Sequence, residues 1–305
     1  MVLNLYQRVT DQILAELERG AAPWVRPWAT TGLHGAMPYN AQSKRAYSGV
    51  NVLLLWASEY PTPAWLTYKQ AIEVGGHVRR GEHGRTVVYM GRARSRPIAT
   101  PPASPEPDAS EGSTYSFLKA YTVFNVAQCD GLPARMLPQS LPLFPEPPVD
   151  RNAVVDAFLS AVGATVQHGG DRACFVPALD IIKLPDIAAF KSPDQYYATS
   201  FHEHGHWSGA PSRLDRQFGR RFGDQAYAAE ELVAELAAAF LCARLGVAGD
   251  LRHAGYIDHW IKLLRDDNRA IFTAASKASA AANYLLERGG LGAETDEAEL
   301  LPIAA

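Results

Sequence analysis

The stretch Ser200-Phe201-His202-Glu203-His204-Gly205-His206-Trp207 constrains this chain more than any other part of it. It carries His-Glu-x-x-His, a pattern whose chemistry depends on being helical. On a helix His202 and His206 stand one turn apart on one face, so both imidazoles can reach a single metal ion. Glu203 lies beside them, where it can take a proton from a water activated at the metal. His204 is two positions from each and points roughly 200° away, so it is not expected to share the metal. It reads as a surface or second-layer histidine. The residues from Tyr196 to Phe201 lead into this helix, and Gly209 and Pro211 are expected to end it.

Such a site needs a third protein ligand and an open fourth position. Downstream, Tyr227 to Leu241 is built of strong helix formers, with an apolar stripe at Leu232, Val233, Leu236, Ala239 and Phe240. Glu231 and Glu235 are one turn apart and share a face. Stacked carboxylates repel each other unless a cation sits beside them. A solvated acidic face is the ordinary fate of such a pair. Against that, the helix is Ala-rich, and Glu231 and Glu235 border the stripe while Glu230 is offset. Many zinc enzymes with this motif place Glu-x-x-x-Asp on a following helix, the first carboxylate on the metal and the second holding a histidine in its tautomer. Glu231 is accordingly expected as the ligand and Glu235 in the layer behind it, with the exchange of roles left open. The expected ion is divalent, zinc first and manganese as the alternative.

The remaining sequence decides what surrounds that site. With 305 residues, 47% hydrophobic and 20% charged, the chain has room for two globular domains. No apolar run is long enough to cross a membrane, and Met1–Arg8 has neither the basic start nor the apolar stretch of a signal peptide, so no secretory leader is expected. Cys129, Cys174 and Cys242 are too few and too scattered for a disulfide framework or a zinc-binding pair. A cytoplasmic location with reduced thiols is expected. The net charge of −3 hides an asymmetry. Residues 1–135 hold 14 Lys/Arg against 10 Asp/Glu, and the remainder holds 15 against 22. The basic half interleaves Lys44, Arg45, Lys69, Arg79, Arg80 and Arg85 with Trp24, Trp28, Tyr39, Tyr47, Trp65 and Tyr68. Cations for phosphates and aromatic faces for bases are what single-stranded nucleic acid requires. Lys44, Arg45, Tyr47, Lys69, Arg79, Arg80 and Arg85 are the candidate DNA contacts. Aromatics at such positions are more often core, and Asn40 and Asn51 serve equally as phosphate contacts or as caps.

An α+β class is expected. Helices are read over Leu5–Arg19 and Val50–Trp56, with another opened by Trp65–Ala71 and Thr67 as its cap. A basic turn leads into a strand at about 78–89, and a returning strand spans 119–126. Residues 95–115 read as a mobile loop between two strands of one sheet. A Pro-rich linker at 136–150 separates residues 1–135 from 151–305. The second part is expected to hold a helix near 149–162, strands near 173–177 and 180–184, the motif helix, the Glu helix, and helices at about 256–264 and 266–287. The strand just before the motif helix is expected to offer an edge to an extended substrate.

Taken together, Gly20–Trp28, Pro38–Asn40, Tyr47–Asn51, Trp65–Ala71, Val78–Glu82, Val123–Gln128, Phe201–Gly209, Ser212–Leu214 and Glu230–Leu236 resemble the ArdC-type antirestriction proteins, whose N-terminal domain also occurs in TraC-type plasmid primases. The resemblance covers nearly the whole chain. It implies an N-terminal single-stranded-DNA-binding domain and a C-terminal zincin-like metallopeptidase domain. It also implies protection of incoming plasmid DNA from host restriction during conjugation. Family members commonly carry Glu-Leu-Gly where this chain has Glu203-His204-Gly205, a departure that leaves the metal ligands intact. The expected partners are single-stranded DNA and a protein or peptide substrate, with no membrane. Two readings follow, a metal-dependent peptidase-type module and a DNA-coating protein with a structural or silent metal site. A digestive protease leaves the basic aromatic half without a purpose. For an oxyanion donor, Arg213, Tyr227 and His253 are candidates, and nothing in the sequence chooses among them.

Overall fold

A computed structural model describes residues 4–20, 22–24, 36–58, 60–94, 114–137, 151–218, 225–248 and 256–292. Helix α1 (Leu5–Glu18) opens the chain, capped by the Asn4 side chain on the Tyr6 amide. Its buried face is Val9, Thr10, Ile13, Leu14 and Leu17, the spacing that an amphipathic helix imposes. There follow β1 (Tyr39–Asn40), α2 (Val50–Trp56), β2 (Ala64–Thr67), α3 (Tyr68–Glu73), β3 (His77–Val78), β4 (Arg85–Arg94), β5 (Thr114–Asn125) and β6 (Cys129–Asp130). The main sheet has the order β1-β2-β5-β4, and β4 and β5 form its long antiparallel ribbon, from Arg85 opposite Val123 to Arg94 opposite Thr114.

Thr67 caps α3 in a reciprocal box with Gln70, as its sequence position predicts. The helix, however, starts only at Tyr68. Trp65, Leu66 and Thr67 pair with Asn125, Phe124 and Val123 of β5 instead, so cross-strand pairing overrides local helix propensity there. Most of the loop expected at 95–115 and of the linker expected at 136–150 lies outside the described residues. The strands flanking the former do belong to one sheet.

The second part begins with α4 (Ala153–Val162), capped by Asn152 and ended by the left-handed Gly163. A three-stranded sheet follows, made of β7 (Thr165–His168), β8 (Cys174–Val176) and β9 (Ile181–Leu184) in the order β7-β9-β8. The sequence reading misses β7, which is short and mostly exposed and so carries no apolar alternation. The helices are α5 (Pro193–Ser208), α6 (Ala226–Leu245), α7 (Ile257–Asp266) and α8 (Ala270–Arg288). One continuous apolar cluster runs from α1 and α2 into α4–α8. Trp24 packs edge-on against Trp260 at 5.7 Å and Tyr6 edge-on against Phe272 at 4.8 Å, and the Trp56 and Phe240 rings meet at a tilt at 5.8 Å. Thr10 Oγ1 donates to the Asn268 carbonyl at 2.8 Å, and the Gly49 amide to Ser279 Oγ at 2.9 Å. The N-terminal helices therefore brace the helices that carry the site.

Candidate metal centre

Helix α5 is started by Ser192, whose side chain accepts from the Gln195 amide, and by Pro193 at its first position. It lies against α6, with Gly205 set close on Ala234. A methyl group there would stand 3.1 Å from Ala234 Cα and 3.3 Å from its carbonyl oxygen. Two small residues thus let the backbones touch, and that contact brings the motif face onto Glu231.

The result is a three-donor cluster. His202 Nε2 and His206 Nε2 are 3.1 Å apart. Glu231 reaches them with Oε2 at 3.5 Å from His202 and Oε1 at 3.6 Å from His206. Three donors around a tetrahedral ion with bonds of about 2.1 Å stand roughly 3.4 Å from one another, so the spacing suits a divalent cation. Two imidazoles and a carboxylate are also the donor chemistry such an ion takes.

Each histidine is held from behind by its own carboxylate. Glu235, fully buried, lies 3.4 Å from His202 Nδ1. Glu230 lies 3.1 Å from His206 Nδ1. These contacts leave both Nε2 atoms facing the donor cluster. Between the two roles the sequence leaves open, Glu231 meets both Nε2 atoms and Glu235 backs His202. Glu230 is the residue that sequence reasoning sets aside as offset, and its partner Arg216 is missed altogether. Arg216 clamps both oxygens of Glu230, one at 2.8 Å, and also donates to the Gly205 carbonyl at 2.7 Å and to Ser208 Oγ at 3.1 Å.

Burial works to discharge His202 and His206. The carboxylates facing them outweigh it, Glu231 and Glu235 for His202 and Glu230 and Glu231 for His206, so both imidazoles are held above their ordinary range. Burial likewise pushes the Glu231 carboxyl up, but the two histidines bring it well below the usual carboxylate range. In the metal-free protein these histidines therefore keep protons that a cation must displace. Affinity for zinc or manganese is expected to rise with pH, with net proton release on binding. Calorimetry in buffers of different ionisation enthalpy reads this directly, and identical heats in all buffers would contradict it.

Glu203 is buried beside this cluster, and its Oε2 accepts from the Phe175 amide at 2.8 Å. Here the structure corrects the sequence reading of the sheet. The strand just before α5, β9, is central and has no free edge, whereas β7 and β8 are the outer strands and β8 presents Phe175 to Glu203. His204 is buried rather than at the surface, with Nδ1 2.7 Å from the Ser200 carbonyl. Burial depresses its pKa to about 4.

Arg213 is fully engaged, bonded to Asp180 and the Trp207 carbonyl and stacked over the Trp207 ring at 4.0 Å. His253 lies outside the described residues. Tyr227 stands one turn before Glu231 on α6. Its hydroxyl is 2.9 Å from that of Tyr256, and contacts with Tyr256 and Glu231 raise its pKa.

The candidate DNA contacts are distributed differently. Arg79 is tied to Glu82 at 2.8 Å, to Asp130 at 3.2 Å and to the Ala127 carbonyl. Tyr47 is buried. Lys44 reaches the Arg135 carbonyl, Lys69 lies 4.0 Å from Glu73, and Arg85 sits over the Tyr60 ring. Arg45 and Arg80 are exposed and make no ion pair among the described residues. Asn40 and Asn51 are structural. Asn40 Oδ1 accepts from the Gln42 and Ser43 amides, and the Asn51 amide bonds the Val88 backbone twice.

Comparison with known proteins agrees with this picture. Residues 153–277 match the zincin-like metallopeptidase family, so the C-terminal part is a zincin-like domain. Residues 3–124 match the N-terminal domain of the anti-restriction factor ArdC. The crystal structure of the antirestriction ArdC protein from plasmid R388 in its metal-free form is 39% identical, with a TM-score of 0.79 over 95% of this chain and 99% of that one. Its Mn(II)-bound form is 38% identical, with a TM-score of 0.74 over 94% and 98%. The Sinorhizobium fredii protein y4eC is 40% identical over 92% of this chain and 91% of its own length. A DNA primase TraC of Escherichia coli is 38% identical over 92% of this chain, which spans only 27% of the primase. The chain belongs to the ArdC-type antirestriction family.

Proposed function

We propose that this protein binds single-stranded DNA through its N-terminal part and carries a divalent-metal-dependent, peptidase-type centre, and that it protects incoming plasmid DNA from host restriction during conjugation. The observation that carries the metal reading is the convergence of His202, His206 and Glu231, whose ligand atoms all lie within 4.8 Å of one another. The Mn(II) form of the R388 relative supports a divalent ion, and the two-histidine, one-carboxylate set also suits zinc. A divalent ion held there supplies polarisation of a peptide carbonyl and a water acidic enough to attack it. Glu203 takes the proton of that water and hands it to the leaving amine. Of the oxyanion-donor candidates, Tyr227 is the one whose hydroxyl is set beside the Glu231 carboxylate. The basic charge of the first part and the kinship to plasmid primases support the DNA reading. No helix of the described residues is long and apolar enough to cross a membrane, and the proposed work is in the cytoplasm on DNA and a DNA-associated protein.

A second reading has one specific observation behind it. Glu203 already spends an oxygen on the Phe175 amide, as a structural carboxylate does. Glu203→Ala separates the two. If peptidase chemistry protects the DNA, the variant still binds metal and single strands, yet transfer of a plasmid into a restricting recipient falls to the level without the protein. Full protection by Glu203→Ala shows instead that coating the strand suffices.

A further inference from the structure

The six aromatic residues that the basic half offers for stacking are not equal in the folded protein. Trp24, Trp65 and Tyr47 are buried in the core, and Trp28 lies outside the described residues. Tyr39 is half-buried, with the Lys44 ammonium 5.8 Å from its ring. Tyr68 is different, because it is 55% exposed at the first position of α3. Ile72, one turn on and 52% exposed, continues the same apolar stripe into solvent. The Tyr68 ring meets Phe124 of β5 edge-on, with centroids 6.3 Å apart. Phe124 is itself packed against the 79–84 loop. Gly84 lies so close that a Cβ there would stand 3.0 Å from the Phe124 ring and 2.3 Å from Thr122 Cγ2.

Charge around this ring is sorted in a useful way. Arg79 spends its guanidinium on Glu82 and Asp130, which offsets the charge of both acids. That leaves Arg80, exposed in the same loop that packs on Phe124 and without an ion pair among the described residues. A braced, solvent-facing phenol with an apolar neighbour and an exposed arginine in the loop that packs on the same Phe124 matches the needs of a single strand, a base on the ring and a phosphate on the cation. A protein-docking patch has no need of an unpaired arginine in the loop behind the ring.

We infer that Tyr68, braced by Phe124, is the platform on which a base of single-stranded DNA stacks, with Arg80 taking a phosphate. This rests on the DNA-binding reading and gives it a place. The test is fluorescence anisotropy with a labelled oligothymidine and a labelled abasic strand of equal length, each titrated at several salt concentrations. Tyr68→Ala is expected to weaken oligothymidine binding by about 5- to 100-fold and to abolish the preference for bases over the abasic strand. The salt dependence should stay as in the parent, because no phosphate contact is removed. Tyr68→Phe should keep the parent affinity, since stacking needs only the ring. Arg80→Ala should instead flatten the salt dependence by about 0.7 in log–log slope, one phosphate's worth for a single strand. Tyr68 lies at the surface, so its variants should melt with the parent. If Tyr68→Ala binds and prefers bases as the parent does, the platform is wrong while DNA binding stands. If the parent itself ignores oligothymidine, the DNA reading falls and takes the platform with it.

Discussion

Arg216→Met is expected to destabilise the metal-free protein by about 3 kcal/mol and to weaken zinc or manganese binding by about 10- to 100-fold. Arg216 is almost fully buried, with its side chain 2% exposed, and it closes a ring of acceptors at the end of α5. Its fork holds both oxygens of Glu230 while the same guanidinium caps the Gly205 carbonyl and Ser208 Oγ. Burial alone drives the Glu230 carboxyl up, and the bonds from Arg216 and His206 bring it back below its ordinary value. Methionine leaves that carboxylate with only His206 to pair with, the situation in which breaking a buried pair costs most. Glu230 also aims His206, so the metal loses a prearranged ligand along with the stability. Arg216→Lys keeps the charge without the fork and should fall between the two. Adding Glu230→Leu to Arg216→Met should recover part of the loss, because the stranded charge is gone. Urea unfolding and metal titration of the four proteins read these differences. An Arg216→Met protein that matches the parent in both would show that the clamp is incidental.

That clamp also marks where sequence reading stops. The motif helix, the Glu helix and the Glu231 position are legible because each is a local pattern with a fixed helical period. Arg216 joins Glu230 across fourteen residues, six of them outside the described structure, and no period connects them. Arg79 shows the same limit from the other side. Its basic context reads as a DNA contact, but Asp130, far along the chain, arrives beside it when β3 pairs with β6. Strand order is similarly invisible. β9 precedes the motif helix in sequence, yet β7 and β8 lie on either side of β9, so the outer edges belong to them and the one beside Glu203 is β8. Burial explains the aromatics, since a Trp in a basic segment looks the same whether it faces DNA or, like Trp24, the Trp260 ring.

His204→Leu is expected to stabilise the protein most strongly in mild acid. His204 is buried, its Nδ1 bonded to the Ser200 carbonyl, which can only accept. The proton therefore sits on Nδ1, and Nε2 is left as a buried lone pair without a partner. Charging the ring there is costly, which is why its pKa falls to about 4 from an ordinary 6.5. Between those two values the unfolded chain binds a proton that the folded chain refuses. Stability from this group is thus complete above about pH 6.5 and is lost as pH falls toward 4, by roughly 3 kcal/mol in all. Leucine has no proton to bind and no orphan nitrogen, so the variant should gain at neutral pH as well, by about 1 kcal/mol or more. His202 and His206 titrate in the opposite sense, because their carboxylates hold protons on in the folded state. They are common to both proteins, so the difference between parent and variant isolates His204. Unfolding free energies from pH 4.5 to 8 should show the two curves running parallel above pH 6.5 and separating below it. Curves that stay parallel throughout would mean that the buried ring finds a way to carry its charge.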